Sequence, residues 1–177
     1  MKSALLAVSI LDTLRTCELA DTDWNDPGAV LGALNRVYLS QSREHLYFTI
    51  WYGIANFVNG TLRYAAGGHP PAVLRAIQND NRRLPASGPP VACFPDANFQ
   101  TVELPMALPS DLYLFSDGVF ETRRHQDVEP LDRLVDFLVA PSNSRGRTVA
   151  EIHHRTVEPL NGAPPPDDCS ILKVSLS

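Results

Sequence analysis

Several runs rich in aromatic and β-branched residues lie between residues 46 and 115, and turn residues separate them into segments of strand length. The predicted strands are 47–55, 62–66, 72–77, 99–104 and 112–115. Asn59-Gly60 is a strong signal for a tight hairpin turn between the first two. Glycines and prolines at 67–71 separate the second from the third, and residues 78–90 predict turn and loop. Connections this short favour antiparallel neighbours, so the sequence predicts a mostly antiparallel sheet.

Helical patterns flank these strands on both sides. Near the start, two adjacent apolar stripes predict a core helix. A second helix is predicted to start with Asn25 or Asp26 as its N-cap and Pro27 in its first turn, and to run to about Leu39. The stripes are Ala4, Val8, Leu11 and Leu6, Ile10, Leu14. Later, Leu131 to Leu138 carry one apolar face, and Thr148 with Glu151 form a capping box for a helix towards Leu160. A final strand, 169–176, completes an α+β order with the helices in layers separate from the sheet.

Length, charge and cysteine content limit the classes of protein that this chain can represent. The 177 residues favour one domain, 1–177. A net charge of −5 disfavours nucleic acid and anionic membrane surfaces as partners. The three scattered cysteines indicate reduced thiols and a cytoplasmic location, and no apolar run reaches the length of a membrane span.

Aspartates follow or precede apolar strands at two places in the second half of the chain. Asp117-Gly118 follows the run 112–115 with only Ser116 between them, and Asp167-Asp168 directly precedes the last strand. Either pair alone is a common turn former. Together, three carboxylates that a sheet brings to one edge form the hard oxygen ligand set that Mg2+ or Mn2+ requires.

Three sequence blocks are residues 66–74 (AGGHPPAVL), 115–122 (FSDGVFET) and 167–170 (DDCS). Together they resemble the SpoIIE-like branch of the PPM (PP2C-type) metal-dependent serine/threonine phosphatases. Residues 115–122 (FSDGVFET) are similar to the family's Thr-Asp-Gly-Val-Thr-Glu-Ala block, and residues 66–74 (AGGHPPAVL) to its Asn-Ala-Gly-His-Pro-Pro hairpin. Residues 167–170 (DDCS) are similar to its closing Asp-Asp-x-Thr. The resemblance covers essentially the whole chain and implies the PPM four-layer α/β/β/α sandwich with mostly antiparallel sheets.

The resemblance also implies a metal site and an activity. Asp117 and Asp167 match the family's metal-ligand aspartates, and Asp168 matches a neighbour that orients the site. The implied activity is dephosphorylation of phosphoserine or phosphothreonine by a metal-bound water, with Mn2+ or Mg2+ as cofactor. The implied substrate is a phosphorylated signalling protein, for which an anti-sigma-factor antagonist of STAS fold is the natural candidate.

The sequence departs from the family pattern before Ser3. The family's Gly-Gly-Asp block and its Asp-x-x-Gly-His-Gly turn supply further metal ligands, and neither is present. We therefore expect an N-terminally incomplete domain that binds metal weakly and hydrolyses phosphoesters poorly or not at all. The alternative is a catalytically inactive remnant, or pseudophosphatase, that only binds a partner protein. The oligomeric state is left open.

Two further polar residues near these blocks have structural interpretations. His69 lies between a glycine and a proline at a strand end, where local hydrogen bonding is more common than catalysis. Cys169 lies beside the carboxylates at the start of a strand, which favours a core position over a nucleophile.

Overall fold

The computed structural model describes residues 2–41, 46–76, 80–121, 130–140, 146–157, 160 and 167–177. Over these ranges the fold is mixed α and β, with helices α1 (Lys2–Thr16), α2 (Pro27–Gln41), α3 (Pro130–Val139) and α4 (Val149–Val157). The strands are β1 (Ile50–Asn56), β2 (Thr61–Gly67), β3 (Ala72–Ala76), β4 (Arg82–Leu84), β5 (Val102–Pro105), β6 (Ser110–Phe115) and β7 (Ile171–Leu176). The chain divides into two compact units, which are residues 1–56, 62–68 and 87–104, and residues 57–61, 69–86 and 105–177. No helix in the described ranges is long and apolar enough to span a membrane.

In the first unit, α1 and α2 accompany a three-stranded sheet in the order β1-β2-β5. Apolar side chains from both helices and from the sheet form one buried cluster. Its buried members are Ile10, Leu19, Val30, Leu31, Ala33, Leu34, Tyr38, Ala65, Val91, Ala92 and Phe99. Because a helix of this length is only marginally stable alone, packing against this cluster holds α1 and α2 in place.

Only one of the two predicted stripes of α1 is buried. Ile10 lies in the cluster, and Leu6 and Leu14 pack against it. Val8 and Leu11 of the other stripe are 65% and 53% exposed, so the prediction of a core position was wrong for them. Both stripes satisfy the helical period, and the sequence therefore could not show which one contacts α2.

The predicted start of α2 is confirmed, and of the two candidate N-cap residues, Asn25 and Asp26, the structure selects Asp26. The Asp26 carboxylate accepts hydrogen bonds from the amides of Gly28 and Ala29 at 3.1 and 3.4 Å, as expected of an N-cap residue. The Thr101 hydroxyl also donates to this carboxylate, and this hydrogen bond is the main cause of the lowered pKa of Asp26. The side-chain cap therefore joins the helix start to the segment that precedes β5.

In the second unit, four antiparallel strands form a sheet in the order β4-β3-β6-β7. Helices α3 and α4 pack on one face of this sheet, where Leu134, Leu138 and Ile152 belong to the same buried cluster as Val73 and Tyr113 of the strands. This is the second buried cluster. The capping box of α4 is confirmed, because the Thr148 amide donates to the Glu151 carboxylate at 2.8 Å and the Glu151 amide donates back to the Thr148 hydroxyl at 3.2 Å.

Strand β4 corrects the sequence prediction of loop over residues 78–90. It has only three residues, Arg-Arg-Leu, which lack the aromatic or β-branched character that indicates a strand. It pairs with β3 from Ala72↔Leu84 to Leu74↔Arg82 at the edge of the sheet. Short, charged edge strands are common because they protect a sheet from pairing with other chains, and here the pairing depends on β3 rather than on local sequence.

Candidate metal centre

Strands β6 and β7 bring the two aspartate turns to the same edge of the four-stranded sheet. Their antiparallel register ends with the pair Phe115↔Ile171. One further hydrogen bond, from the Ser116 amide to the Ser170 carbonyl at 3.0 Å, extends the pairing past the last ladder residues. Because β6 ends where β7 begins, the residues after Phe115 and those before Ile171 are neighbours.

The first turn is a single 3-10 turn, Asp117–Val119. Asp117 is exposed, while Gly118 and Val119 are buried. Val119 packs in the second buried cluster, and its carbonyl accepts a hydrogen bond at 3.2 Å from the buried Thr156 hydroxyl of α4. The packing of Val119 and its hydrogen bond with Thr156 hold in place the backbone that presents the Asp117 carboxylate to solvent.

In both turns, one carboxylate oxygen is fixed by the amide of the following residue. The Gly118 amide donates to Asp117 Oδ1 at 3.0 Å, and the Asp168 amide donates to Asp167 Oδ1 at 2.7 Å. Asp167 and Asp168 are exposed, as Asp117 is. Each of these hydrogen bonds orients one carboxylate and leaves its second oxygen available to another ligand.

The two turns are in direct backbone contact. A Cβ placed on Gly118 would lie 2.6 Å from the Asp168 carbonyl oxygen and 3.1 Å from that of Asp167, so a side chain at this position would overlap the opposite turn. The Cys169 thiol donates to the Gly118 carbonyl at 2.9 Å, and the Ser116 hydroxyl donates to the Asp168 carbonyl at 2.8 Å. The structure therefore brings together the segments that carry all three predicted metal-site aspartates.

Asp168 takes part in this arrangement through its backbone. Its amide orients Asp167, and its carbonyl accepts from Ser116. Within the described ranges, no group of three His, Cys, Asp or Glu side chains is close enough to hold a metal ion. The chemistry of the exposed Asp117 and Asp167 carboxylates fits a hard divalent cation, with water needed for most of the remaining coordination positions.

His69 and Cys169 are two further polar residues that interact with the charges of the site aspartates. His69 Nδ1 lies 2.7 Å from the Pro70 carbonyl, a local hydrogen bond of the predicted kind. Burial lowers the pKa of His69, while the Pro70 hydrogen bond and the Asp117 charge oppose this shift. Burial also raises the pKa of the half-buried Cys169 thiol, and the charges of Asp167 and Asp168 raise it further, which favours the protonated thiol over a nucleophilic thiolate.

Sequence reasoning did not assign a role to Ser116. Its side chain contacts the opposite turn at two points, since its hydroxyl also accepts from the Ser170 amide at 2.9 Å. The signal that could have identified it is a serine directly before Asp-Gly, at the end of a strand that pairs with the one after Asp167-Asp168. That signal has meaning only once the strand register is known.

The fold is that of PP2C-like phosphatase domains, as comparison with known proteins shows. The family described as Stage II sporulation protein E (SpoIIE) matches residues 1–177, so the chain belongs to the SpoIIE family. Protein IcfG of Synechocystis sp. is 25% identical over 149 residues, covering 80% of this chain and 24% of IcfG. Phosphoserine phosphatase RsbP of Bacillus subtilis is 27% identical over 88 residues, covering 50% of this chain and 22% of RsbP. The chain thus spans about a quarter of the length of these curated relatives.

Solved structures show the same fold. The PP2C phosphatase domain of SpoIIE from B. subtilis, determined with a fragment of its regulatory domain, superposes with a TM-score of 0.72 at 14% identity, covering 94% of this chain and 48% of that one. The SpoIIE phosphatase domain from manganese-presoaked crystals gives a TM-score of 0.64 at 14% identity, covering 94% of this chain and 71% of that one. At such identities, the likeness establishes the fold alone.

Proposed function

We propose that this chain is a metal-dependent protein serine/threonine phosphatase, a phosphoric monoester hydrolase, that acts on a signalling protein. The observation that carries the proposal is the backbone contact between the Asp117 and Asp167 turns at one edge of the sheet. The family membership supports the same activity. We propose that Asp117 and Asp167 hold Mn2+ or Mg2+, with Asp168 as a supporting neighbour.

The orientation of each carboxylate suits this role. Because Oδ1 of both Asp117 and Asp167 accepts an amide hydrogen bond, Oδ2 of each residue is the oxygen available to a cation. A bound divalent cation would activate a water nucleophile and neutralise charge on the phosphoryl group. The residues of the chain itself fix the carboxylates, and the contacts of Cys169 and Ser116 keep the two turns together.

The exposure of the site favours a phosphorylated protein as the substrate. Asp117, Asp167 and Asp168 all lie at the surface, where a phosphoserine or phosphothreonine on another folded protein can reach them. Three exposed carboxylates repel a phosphate dianion in the absence of a cation, so substrate binding should depend on the metal. An anti-sigma-factor antagonist of STAS fold is the substrate that the family resemblance suggests.

A second candidate is a catalytically inactive protein-binding module. The observation that favours it is the ligand count, since the described residues contain no group of three metal-ligating side chains. Two carboxylates leave most positions of an octahedral shell to water, and a cation held this weakly would leave the chain without measurable turnover. The two candidates therefore differ in whether any metal-dependent hydrolysis is measurable.

The test is hydrolysis of p-nitrophenyl phosphate and of a phosphoserine peptide by the purified chain over a titration of Mn2+. We expect slow turnover that rises with Mn2+ and is abolished in Asp117→Asn and Asp167→Asn. Asp96→Asn, which removes the same charge from an exposed position in the other unit, should behave as wild type. Absence of Mn2+-dependent turnover would contradict the phosphatase and favour the binding module. Turnover as fast as that of a complete family member would show that the ligand count is misleading.

A further inference from the structure

Ser116 occupies the position between the end of β6 and the Asp117 turn. Its hydroxyl donates its one proton to the Asp168 carbonyl at 2.8 Å and accepts from the Ser170 amide at 2.9 Å. Its backbone amide donates to the Ser170 carbonyl at 3.0 Å. The Ser116 side chain thus bonds the residue before Cys169 and the residue after it, in the segment that carries Asp167.

These bonds lie beyond the last ladder pair of β6 and β7, where strand pairing no longer fixes the distance between the two segments. The β6–β7 ladder ends at Phe115↔Ile171, so Asp168 and Ser170 lie beyond its last pair. Within the described residues, the two turns are joined by the Ser116 bonds and by a hydrogen bond that the Cys169 thiol donates to the Gly118 carbonyl. A thiol is a weak donor, so this bond contributes less than those of Ser116. Gly118 fixes how closely the turns can approach, but a steric limit cannot prevent them from separating.

We propose that Ser116 is a positioning residue that sets the separation of the Asp117 and Asp167 carboxylates for a divalent cation. The inference rests on the proposed metal site and adds a specific cause for its geometry. Ser116 is adjacent in sequence to Asp117, and its hydroxyl bonds the residue after Asp167. A change in its hydroxyl bonds therefore alters the distance between the two carboxylates directly.

A purely structural role for Ser116 makes a different prediction. A hydroxyl that only stabilised the fold would lower the free energy of unfolding when removed and leave cation affinity unchanged. Ser175 provides the matched control, because its hydroxyl donates to the Asp111 carboxylate at 2.8 Å on the same pair of strands. The Asp111↔Ser175 pair lies towards the end of the ladder opposite to Phe115↔Ile171.

The experiment compares Mn2+ affinity, by calorimetric titration of the full chain, between wild type and the variants Ser116→Thr and Ser116→Val. Threonine and valine have nearly the same shape and differ in the hydroxyl, so the comparison isolates the hydrogen bonds from packing. We expect Ser116→Thr to bind Mn2+ within about twofold of wild type and Ser116→Val to bind about tenfold more weakly, since the change removes two hydrogen bonds. Ser116→Ala should bind as weakly as the valine variant and decides the matter if valine prevents folding.

A second measurement does not depend on the metal. In the metal-free protein, amide hydrogen exchange at Ser170 should be faster in Ser116→Val and Ser116→Ala than in Ser116→Thr, because this amide loses its acceptor. Ser175→Ala should leave both Mn2+ affinity and Ser170 exchange unchanged. Wild-type Mn2+ affinity in Ser116→Val, with binding lost in Asp117→Asn, would overturn the role of Ser116 and retain the metal site. Equal Mn2+ binding by wild type and Asp117→Asn would instead overturn the metal site itself.

Discussion

Replacement of Gly118 by alanine is the most direct test of the contact between the two aspartate turns. The new Cβ would lie 2.6 Å from the carbonyl oxygen of Asp168 and 3.0 Å from its carbonyl carbon. Optimal contact between nonbonded heavy atoms is near 3.5 Å, so the distance between the new Cβ and the Asp168 carbonyl oxygen must increase by roughly 0.9 Å. Both atoms belong to the backbone, and a side-chain rotation therefore cannot relieve the overlap.

The magnitude depends on which turn moves. Gly118 and Val119 are buried, whereas Asp167 and Asp168 are exposed and lie beyond the β6–β7 ladder. The Asp167 turn should therefore yield first, which places the stability loss near the lower end of the 1–3 kcal/mol typical of overpacking, about 1 kcal/mol. For a chain of this size, that loss lowers the melting temperature by about 2–4 °C. A shift of this size between two ligands should weaken Mn2+ binding by about tenfold or more.

The assay combines thermal unfolding with calorimetric Mn2+ titration of wild type and Gly118→Ala. Gly32→Ala is the control, because the atom nearest its new Cβ is the flexible guanidinium of Arg36 at 3.8 Å. Within helix α2, that change should stabilise the protein by about 0.5–1 kcal/mol and leave Mn2+ affinity unaltered. A Gly118→Ala protein with the melting temperature and Mn2+ affinity of wild type would refute the tight contact between the turns.

Two further predictions concern helix caps. Thr148→Ala should lower the free energy of unfolding by about 1 kcal/mol because it removes the side-chain bond to the Glu151 amide, and Thr148→Ser should restore most of that loss, as measured by urea denaturation. Thr101→Val should destabilise the protein more at neutral pH than in acid. The Thr101 hydrogen bond lowers the pKa of Asp26 below 3.8, so its stabilisation is present above about pH 4 and is lost as the pH falls through the folded-state pKa. A gap between wild type and Thr101→Val that is constant across this range would contradict the assigned cause.

Features that depend on local chemistry were predictable from the sequence. The N-cap before Pro27 and the capping box at Thr148 each use residues within four positions of one another, and both are present. Strand β4 was not predictable, since its three residues pair with β3 only because that edge of the sheet is available. The orientation of α1 was also not predictable, because two stripes satisfy the same period and only contact with α2 selects one.

The candidate site illustrates the same limit at longer range. The sequence identified Asp117, Asp167 and Asp168 by their positions beside apolar strands and by their resemblance to the family blocks. Their proximity depends on the register of β6 with β7, two strands separated by more than fifty residues of chain. A slip of one residue would turn every side chain of β7 to the opposite face and move Ser170 away from Ser116. Since the Ser116 hydroxyl bonds and the Gly118 contact both require the observed register, they are consequences of sheet pairing that no local pattern contains. A variant that removes the Ser116 hydroxyl while the β6–β7 register is preserved should therefore retain the fold and bind Mn2+ about tenfold more weakly.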